Sequence, residues 1–576
     1  MPVVGYDFGN LNGYIAVARQ GGIDVLTNDY SLHATPSCVS FGRNIRTMGM
    51  GARQQVNTNF KNTVINFKHL LGRKFSDPIT QLYKKFVPCE VVQLPDDGIG
   101  LKVEYLGETK IFTPEQVTAA FLVKLKQITE NNLGQPDNEC VVSVPYFFSD
   151  DQRRALLAAG KIAGINLLKI VNENTAIGIA YGFYKGAQLP AEKDAPKLVA
   201  FVDVGHSCVQ ASIMAFNDHK VEVIGAAHDL TVGGLFFDDL IREHFHKEFQ
   251  TKFKIDAQKK PRAWLRLLDE CEKLKKQMSA NQTEIPLAIE CFVDDKDVAG
   301  KMKRAFFEEL AEPLFQKVRD MLQSLMDSSG VKKEDIADVE LIGGSSRVPF
   351  IRQIVANFFN KEPKTTMNLD DAVARGACMQ CAIISPSFQV KEFHIKDSQD
   401  PVVEQVPPIN VDEFIAQEKE MQARDLDHKM TADAKNALEE YCYGMRDKLT
   451  GDLAEFVTGE EVIQFQSLLE KMEQWLYEDG EDATRQEYED KLNDLVGTIE
   501  APIRKRQKEL EEKQRKKREA EFLKEAEAKK RQREAEEAAK AAAAKEAAVD
   551  GAAEETAEKM ETGEEAVVEE NKAEQK

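Results

Sequence analysis

Hydrophobic and polar positions alternate in blocks along residues 1–385, where strand-like runs are followed by helix-like stretches and Gly and Pro mark the turns. The run Val141 to Pro145 is typical of a buried strand. Asp150 and Asp151 then open a helix with acids in its first turn, where they interact favourably with the helix dipole. Repetition of this pattern predicts an α/β fold.

One short pattern occurs twice. Residues 3–10 and 200–207 each form an apolar strand that ends in Asp-x-Gly, and a second β-type run follows each copy. Both copies predict a strand–turn–strand hairpin that directs a carboxylate and a tight glycine turn into a shared cleft. Glycine lets backbone N–H groups approach a phosphate, and a carboxylate can hold a hydrated Mg²⁺ beside it. The repeat therefore predicts a two-lobed nucleotide site.

A third glycine turn follows the apolar strand around Leu341 and Ile342 and precedes a helix that starts near Pro349. The bare backbone of Gly343 and Gly344 allows a flat base and ribose to lie close, and a guanidinium such as that of Arg347 can stack on a base. The chain has no G-x-x-x-x-G-K-[ST] motif, so it is not a P-loop enzyme.

The pattern changes after residue 385. Residues 386–411 are polar and proline-spaced, which indicates a linker. Residues 412–505 show a helical period and a capping box at Thr458 and Glu461, which predict a small helical bundle. Residues 506–576 are rich in charge and predict a solvated helix that becomes disordered from about Val549. The stripe that defines the first bundle helix is Leu438, Tyr441, Cys442, Met445 and Leu449.

Composition narrows the function classes. The 576 residues carry a net charge of -21 and a pI near 5.1, which argues against nucleic acid or an anionic membrane as a main partner. Nine scattered Cys suit a reducing compartment. We expect Cys378 and Cys381, although spaced as C-x-x-C, to lie in a buried helix. With no predicted signal peptide and no membrane span, we expect a cytoplasmic protein, and the basic run Lys513 to Arg518 is a weak nuclear-signal candidate.

Longer motifs carry a resemblance to a known family. The motifs are Ala34-Thr35-Pro36-Ser37, Lys68-His69-Leu70-Leu71-Gly72-Arg73-Lys74-Phe75, Val171-Asn172-Glu173-Asn174-Thr175-Ala176, Ala180-Tyr181-Gly182 and Ile342-Gly343-Gly344-Ser345-Ser346-Arg347-Val348-Pro349. Over residues 1–385 the chain closely resembles the ATPase domain of the seventy-kilodalton heat-shock chaperones. The variants Asp7-Phe8-Gly9-Asn10 and Val202-Asp203-Val204-Gly205-His206-Ser207, with the segments 385–390 and 436–449, are similar to the large, 110-kilodalton subclass.

The resemblance implies a duplicated, actin-like, two-lobed ATPase domain over residues 1–385 that binds ATP or ADP with Mg²⁺. It implies catalytic roles for Lys68, Glu173 and Asp203, with Asp7 and Asp203 holding the Mg²⁺ through water. The remaining nucleotide contacts that it implies are Gly9, Asn10, Gly205, His206, Gly233, Gly234, Glu272, Lys275, Ser279, Gly343, Gly344, Ser345, Arg347 and Asp370.

Several positions depart from the pattern of the smaller chaperones. Asn10 and Leu11 stand where those chaperones carry threonines, Cys208 replaces a second-loop threonine, and Gln210 replaces an acid. Each change removes an oxygen or a charge that orients water or phosphate, and the loss of one preorganised group lowers a rate by roughly 10²–10³. We therefore expect ATP binding with slow or negligible hydrolysis.

A larger departure concerns the region between the ATPase domain and the helices. Family members carry a β-sandwich of roughly 100 residues there, and the predicted linker at 386–411 is too short for one. The resemblance implies a co-chaperone that acts as nucleotide exchange factor for a seventy-kilodalton heat-shock chaperone by contacting its nucleotide-binding domain. The alternatives are a holding chaperone that binds unfolded client proteins, a sugar kinase of the same fold and an actin-like filament protein.

Overall fold

The computed structural model describes residues 2–19, 21–136, 138–387, 393–397 and 411–554. Its strands are β1 (Val3–Phe8), β2 (Asn12–Arg19), β3 (Gly22–Val25), β4 (Thr35–Pro36), β5 (Cys38–Phe41), β6 (Arg46–Met48), β7 (Thr63–Ile65), β8 (Glu90–Gln93), β9 (Ile99–Tyr105), β10 (Glu108–Phe112), β11 (Glu139–Val144), β12 (Asn166–Asn172), β13 (Lys197–Val204), β14 (Val209–Asn217), β15 (Lys220–Asp229), β16 (Ile285–Val293), β17 (Lys296–Met302), β18 (Ile336–Ile342) and β19 (His394–Lys396).

The α-helices are α1 (Met50–Gln55), α2 (Pro78–Lys84), α3 (Pro114–Leu133), α4 (Asp150–Ala163), α5 (Glu173–Lys185), α6 (Gly234–Phe253), α7 (Pro261–Ala280), α8 (Arg304–Leu310), α9 (Glu312–Ser329), α10 (Pro349–Phe359), α11 (Ala372–Ile384), α12 (Val411–Thr450), α13 (Gly459–Tyr477), α14 (Arg485–Leu495) and α15 (Ala501–Glu554). The chain forms two compact units, residues 1–428 and 429–576. The predicted boundary near residue 411 therefore does not coincide with the division between the compact units.

The first unit contains two large sheets with the same plan. One sheet has the order β12-β11-β1-β2-β3 and the other the order β18-β13-β14-β15-β19. In each, the strand that ends in Asp-x-Gly pairs in parallel with one neighbour and in antiparallel with the next strand along the chain. We call the part built on β1 lobe I and the part built on β13 lobe II. The duplicated α/β fold expected from the repeat is confirmed.

The local signals that start helices agree with the structure. Helix α4 begins at Asp150, as predicted, and Ser149 forms a capping box with Gln152, which satisfies two backbone N–H groups that the helix itself leaves unpaired. Gly164 ends this helix in a left-handed conformation that glycine adopts without steric cost. Gly343, with φ of 82°, likewise permits the turn that follows β18.

Helix α11 packs closely against lobe I at positions where only glycine fits. A Cβ on Gly5 would lie 2.1 Å from the backbone nitrogen of Cys378, and one on Gly376 would lie 1.8 Å from the carbonyl oxygen of Ala176. The Cys378 and Cys381 thiols are buried and donate to backbone carbonyl oxygens of β1 and β11. The expectation that this C-x-x-C lies in a buried helix is confirmed.

The predicted linker contains a short ordered strand. β19 pairs in parallel with β15, and the ring of Phe393 stacks on that of Phe183 with centroids 4.8 Å apart. Asp397 accepts a hydrogen bond from the Asn172 amide at 2.8 Å. Phe393 and Ile395 supply apolar contacts, but the residues around them are mostly polar, so the segment was predicted to be a linker. The rest of the predicted linker, residues 388–392 and 398–410, lies outside the described residues.

The first half of α12 packs on lobe I. Met421 is buried in the core of lobe I, and Phe414 and Ile415 pack against that core. Beside them, Arg46 donates to both oxygens of Glu418 at 2.6 and 2.7 Å and to Asp425 at 2.7 Å. This contact joins residues more than 370 positions apart and was not predicted.

The second unit is a helical bundle, as predicted. Its buried residues are Leu438, Cys442, Met445, Leu449, Phe465, Leu469, Leu476, Tyr488, Leu495, Ile499 and Ile503. The predicted capping box at Thr458 and Glu461 is present. Helix α15 continues to Glu554, beyond the predicted onset of disorder at Val549, and residues 555–576 lie outside the described residues. Within the part of the chain that the structure describes, no helix has the length and apolar character needed to cross a bilayer.

Candidate functional site

A cavity of about 530 Å³ opens between lobe I and lobe II, at the turns of the two Asp-x-Gly hairpins. Gly233, the residue before α6, is absent from its walls, and a Cβ on it would lie 2.8 Å from the carbonyl oxygen of His206. The predicted site residues that do line the cavity are Asp7, Gly9, Asn10, Lys68, Glu173, Asp203, Gly205, His206, Gly234, Glu272, Lys275, Ser279, Gly343, Gly344, Ser345, Arg347 and Asp370. The structure thus brings these residues together, and their individual roles stay predictions.

One buried cation lies at the floor of the cavity. Lys68 begins a short 3₁₀ turn in lobe I, and its Nζ donates to Glu173 Oε1 at 2.6 Å. The two side chains are only 6% and 9% exposed. Burial alone would lower the pKa of Lys68, but the carboxylates of Glu173 and Asp7 reverse the effect and raise it. Lys68 therefore carries a full positive charge at neutral pH.

The amide of Gln210 connects two carboxylates across the cavity floor. Its Nε2 donates to Glu173 Oε2 at 2.6 Å and to Asp203 Oδ2 at 2.9 Å. Glu173 therefore accepts from Lys68 through one oxygen and from Gln210 through the other. Gln210 Oε1 is buried and has no hydrogen-bond partner among the described residues. A buried acceptor of this kind requires a donor, so the site is incomplete as a protein structure alone.

The two aspartates of the hairpins hold their protons unusually well. Desolvation, reinforced by the neighbouring Glu173, raises the pKa of Asp7 to about 7. The same two causes raise the pKa of Asp203 to about 7. Ser143 Oγ donates to Asp7 Oδ1 at 3.1 Å, and this bond opposes the shift only in part. Both carboxyl groups therefore take up protons at a much higher pH than an ordinary aspartate does.

The charge balance of the floor fits a divalent cation. Three carboxyl groups, which we call the cleft carboxylates (Asp7, Glu173 and Asp203), interact with the ammonium group of Lys68. Mg²⁺ prefers carboxylate oxygens and retains several waters, which would supply the donor that Gln210 Oε1 lacks. Asp7 and Asp203 are the residues that would hold such a hydrated ion, and the ion would neutralise negative charge on bound phosphates.

The two hairpin turns meet across the cavity. Asn10 Nδ2, in lobe I, donates to Asn66 Oδ1 at 2.9 Å and lies 3.0 Å from His206 Nδ1 in lobe II. Burial lowers the pKa of His206 to about 3, so this imidazole is neutral. A neutral ring accepts the Asn10 amide proton through Nδ1 and keeps its other nitrogen for a second partner. Asn10 Oδ1 is buried without a partner among the described residues.

A second contact between the lobes lies behind the turns. His69 Nε2 is 2.7 Å from Ser207 Oγ, and the Tyr83 hydroxyl donates to the Ser207 carbonyl oxygen at 2.5 Å and to that of Leu230 at 2.9 Å. The His69 and Tyr83 rings stack with centroids 4.3 Å apart. Sequence reasoning did not identify this network. His69 and Ser207 lie in motifs that carry the family resemblance, but those motifs do not indicate that the two side chains meet, and Tyr83 belongs to no recognised motif.

The close approaches around the third glycine turn leave no space for side chains. A Cβ on Gly343 would lie 2.3 Å from Asp203 Oδ1, and one on Gly234 would lie 2.5 Å from Ser345 Oγ. Ser346 Oγ donates to the Gly343 carbonyl oxygen at 2.6 Å and fixes the turn. Bare backbone therefore faces the cavity where the sequence predicts a base and ribose.

A buried ion pair lies beside the cavity on the lobe II side, and its lysine, Lys275, lines the cavity. Lys275 Nζ donates to Asp238 Oδ2 at 2.7 Å and to the Gly234 carbonyl oxygen at 2.9 Å. Burial raises the pKa of Asp238 to about 6 despite this ion pair. Sequence reasoning missed Asp238, one turn into α6. Lysine at 275 was predicted as a nucleotide contact, and the structure shows that its charge is already partly neutralised within the protein.

The residues predicted to contact the nucleoside differ in how they are held. Arg347 makes a two-bond ion pair with Asp370, at 2.7 and 2.8 Å, which orients the flat guanidinium at the cavity rim. Ser279 Oγ donates to the Lys275 carbonyl oxygen at 2.9 Å. Glu272 pairs with Lys276 at 2.7 Å. Burial is the largest single influence on Glu272 and opposes its ionisation, but the bond to Lys276 and the charges of Lys276 and Lys275 together outweigh it and lower the pKa of Glu272.

Cys208 occupies the position where the resemblance leads us to expect a threonine. Desolvation and the negative charge of Glu173 raise the pKa of its thiol well above the ordinary value. The thiolate is the nucleophilic form of cysteine, so a protonated Cys208 contributes no covalent chemistry. A thiol is also a weaker hydrogen-bond donor than a hydroxyl, which makes it a poor group for orienting water or phosphate.

Comparison with known proteins agrees with this architecture. A family model described as Hsp70 protein matches residues 3–404 and, separately, 399–509. Heat shock protein 110 of Caenorhabditis elegans is 45% identical over 656 residues, which cover 89% of this chain and 84% of that protein. Because this chain has 576 residues, at least 80 aligned positions of the worm protein lie opposite gaps in it.

Two further relatives match a shorter part of the chain. The 97 kDa heat shock protein of Strongylocentrotus purpuratus is 49% identical over 397 residues, and Heat shock 70 kDa protein 4 of Homo sapiens is 48% identical over the same length. These matches cover 69% of this chain but only 44% and 47% of the two relatives, so the chain spans less than half of their length. The chain therefore belongs to the Hsp70 family of heat-shock chaperones, in the subclass of the large 110-kilodalton members.

Proposed function

We propose that this protein is an ATP-binding co-chaperone that accelerates nucleotide exchange on a seventy-kilodalton heat-shock chaperone, while its own hydrolysis of ATP is slow or negligible. The slow hydrolysis is proposed because both carboxylate oxygens of Glu173 already accept hydrogen bonds, one from Lys68 and the other from Gln210. A carboxylate with both oxygens bound by protein donors is a poor base for an attacking water.

Bound nucleotide then has a structural role. The cavity lies between two lobes that already touch through Asn10 and His206 and through Tyr83 and Ser207. A Mg²⁺–nucleotide complex would add bonds to both lobes at once and supply a donor to the unpaired oxygen of Gln210. A ligand that binds one arrangement of the lobes better than another shifts the population toward it without chemistry.

The exchange activity is proposed from membership in the subclass together with the helical second unit. In our proposal this bundle contacts the nucleotide-binding domain of the partner chaperone and holds its cleft open. Only residues 397–410 separate β19 from α12, which is too short a segment for a β-sandwich that binds clients. This spacing disfavours the rival proposal of a holding chaperone.

Release of fluorescent ADP from a seventy-kilodalton chaperone tests the exchange activity. We expect faster release when this protein, preloaded with ATP, is added, and a smaller acceleration with an Asp203→Asn variant, which lacks one of the two carboxylates proposed to hold the metal. Unchanged release alongside confirmed ATP binding would contradict the proposal. If release is unchanged but the protein suppresses light scattering by an aggregating client, the holding chaperone is the better interpretation.

A turnover measurement tests the role of Gln210. We expect the unmodified chain to hydrolyse ATP very slowly and Gln210→Asp to raise the rate at least tenfold, because it frees Glu173 Oε2 and adds an oxygen ligand. Lys68→Met in the Gln210→Asp background is the control and should abolish the gain. Turnover of the unmodified chain at the rate of an active chaperone would disprove the proposed slow hydrolysis.

A further inference from the structure

The long helix α15 continues the buried face of the bundle into solvent. Ile499 and Ile503 are buried in the core of the second unit, and Arg506, on the same face, pairs with Glu461. Along the part of α15 whose side chains the structure describes, every side chain from Lys508 to Ala544 is exposed. Where a helix leaves a core and nothing packs on it, we expect acidic and basic residues to be distributed over all of its faces.

The composition of that face is instead strongly biased. Steps of three and four residues keep side chains on one face of a helix. From Arg506 such steps reach Leu510, Lys513, Lys517, Ala520, Lys524, Ala528, Arg531, Ala535 and Ala538, a series that contains no acidic residue. We call Lys513, Lys517, Lys524 and Arg531 the basic stripe. Of these, only Lys517 has a carboxylate within 4 Å in the described part of the chain.

The opposite side of the same helix has a different pattern. Steps of three and four from Lys508 pass through Glu511, Arg515, Arg518, Phe522, Glu525, Lys529, Arg533 and Glu536. Five bases and three acids are interspersed there, as in a solvated single helix stabilised by its own ion pairs, such as Arg515 with Glu519. Both series are therefore net basic, and only the series of the basic stripe lacks acids, a charge pattern that suits the binding of an acidic surface.

The sequence after α15 supplies such a surface. Residues 555–576, which we call the acidic tail, contain eight Glu and three Lys. In an extended conformation these residues reach about 73 Å. Lys513 lies about 62 Å and Arg531 about 35 Å along the helix axis from Glu554, at a rise of 1.5 Å per residue. The acidic tail is therefore long enough to lie along the whole basic stripe.

We propose that the acidic tail folds back in the same molecule and binds the basic stripe of α15. Covalent connection gives the tail an effective concentration in the millimolar range, so binding within one molecule prevails over binding to a second copy at micromolar protein. The attraction is between exposed charges and is screened by salt, with a Debye length near 10 Å at 0.1 M. The tail then acts as a resident competitor for any other acidic partner of this face.

A labelled peptide of residues 555–576 tests the proposal by fluorescence anisotropy. At low salt we expect it to bind the chain truncated after Glu554 and to bind the full chain at least tenfold more weakly, because the tail already occupies the stripe. Binding to the truncated chain should be lost at about 0.5 M salt. Equal binding to both chains, or binding to neither, would overturn the proposal.

Two matched variants locate the contact. Reversal of the basic stripe to Glu at Lys513, Lys517, Lys524 and Arg531 should abolish peptide binding to the truncated chain. Reversal at Lys508, Arg515, Lys529 and Arg533 changes the same number of charges on the other face and should retain most of the binding. Equal loss in both variants would mean that the peptide senses only net charge, and the proposed stripe would be wrong.

Zero-length carbodiimide cross-linking of the full chain distinguishes one molecule from two. We expect amide links between tail glutamates and stripe lysines in the monomer band, mapped by mass spectrometry and absent at high salt. Such links found only in a cross-linked dimer would assign the stripe to a second copy and overturn binding within the molecule. Circular dichroism of each variant confirms that α15 remains helical.

Discussion

Two buried groups of charges in the first unit have similar compositions and opposite properties. In the Arg46 cluster (Arg46, Glu418 and Asp425), a guanidinium makes two bonds to one carboxylate and one to the other. On the cavity floor, the ammonium of Lys68 bonds directly to one of the three cleft carboxylates. The Arg46 cluster fixes α12 to lobe I, whereas the cavity floor retains negative charge that a bound cation can neutralise.

The difference follows from the geometry of the two cations. The planar guanidinium of Arg46 presents several donors in fixed directions, so it pairs with two carboxylates at once. The ammonium of Lys68 is a compact charge, and the two hairpins hold Asp7 and Asp203 by their backbones rather than by a donor from it. Excess negative charge that a protein does not neutralise itself indicates a site for a cation.

Replacement of Arg46 by Met is expected to have the largest effect on stability. It leaves Glu418 and Asp425 beside the core of lobe I without their cation, and the loss of one partner of a buried pair lowers the free energy of unfolding by about 3–5 kcal/mol. Urea unfolding of the first unit, followed by tryptophan fluorescence of Trp264, measures the change.

The matched control is Arg53→Met. Arg53 pairs with Asp269 at 2.8 Å, but both side chains are about a quarter exposed, so we expect a change of about 0–1 kcal/mol. Similar losses for the two variants would show that the Arg46 cluster is no better protected from solvent than a surface pair.

Lys68→Met is expected to destabilise the nucleotide-free protein less, and in a pH-dependent way. Lys68 opposes the upward shifts in the pKa of Asp7 and Asp203, so its removal raises both further above their ordinary value of 3.8. A carboxyl group with a raised folded-state pKa is protonated at little cost below that pKa and destabilises the fold above it. We expect a loss of about 1–3 kcal/mol at pH 8 that shrinks toward pH 6.

Unfolding curves at pH 6 and pH 8 measure this prediction. In the unmodified, nucleotide-free chain the same two aspartates should make stability rise as the pH falls from 8 toward 5. A stability loss on Lys68→Met that is the same at both pH values would show that Asp7 and Asp203 do not take up protons on the folded protein.

Much of the local structure around the cavity could be predicted from the sequence. The two Asp-x-Gly hairpins, the glycine turn after β18 and the capping boxes are local patterns, and local patterns specify local structure. The contact of Gln210 with Asp203 was accessible too, because a hairpin with its turn at 205–208 pairs these two residues directly across the strands. Sequence reasoning noted Gln210 only as the loss of an acid and overlooked this register.

Contacts between segments that are distant along the chain could not be predicted from the sequence. Arg46 and Glu418 are separated by 372 positions, and nothing near either residue indicates the other. The pair of Asp238 with Lys275 depends on the packing of α6 against α7, and the segment 393–397 becomes a strand because β15 offers it an edge. In each case the partner, rather than the segment itself, determines the structure, so a pattern read along one segment cannot reveal it.

The affinity for Mg²⁺–ADP is expected to fall with pH below about 7. The carboxyl groups of Asp7 and Asp203, with pKa values near 7, must lose their protons before they can hold a hydrated cation, so protons compete with the metal. One proton in competition lowers the affinity by up to tenfold per pH unit, which corresponds to about 1.4 kcal/mol. Titration with fluorescent ADP at pH 8, 7, 6 and 5.5 measures it.

Asp203→Asn and the omission of magnesium serve as controls for this profile. The variant should bind more weakly at every pH, show a shallower pH dependence and, because it removes a group with a raised pKa, unfold at slightly higher urea at pH 8. Without magnesium the decline in affinity between pH 7 and pH 6 should largely disappear. A steep decline that persists without the metal would assign the titration to the nucleotide rather than to the protein.

The smallest effect is expected for Asp425→Asn. Burial raises the pKa of Asp425 despite the bond from Arg46, and its Oδ1 has no hydrogen-bond partner among the described residues, so its negative charge is only partly compensated. Asparagine keeps an oxygen for Arg46 Nε and removes the charge, while Glu418 still pairs with the guanidinium through both oxygens. We expect the free energy of unfolding at pH 7 to change by less than about 1 kcal/mol.

Glu418→Gln, the matched variant, removes the carboxylate that carries two of the three bonds and should lower stability by at least twice as much. Equal effects of the two variants would mean that the Arg46 cluster needs both negative charges, and it would then resemble the cavity floor in being limited by charge rather than by hydrogen bonds.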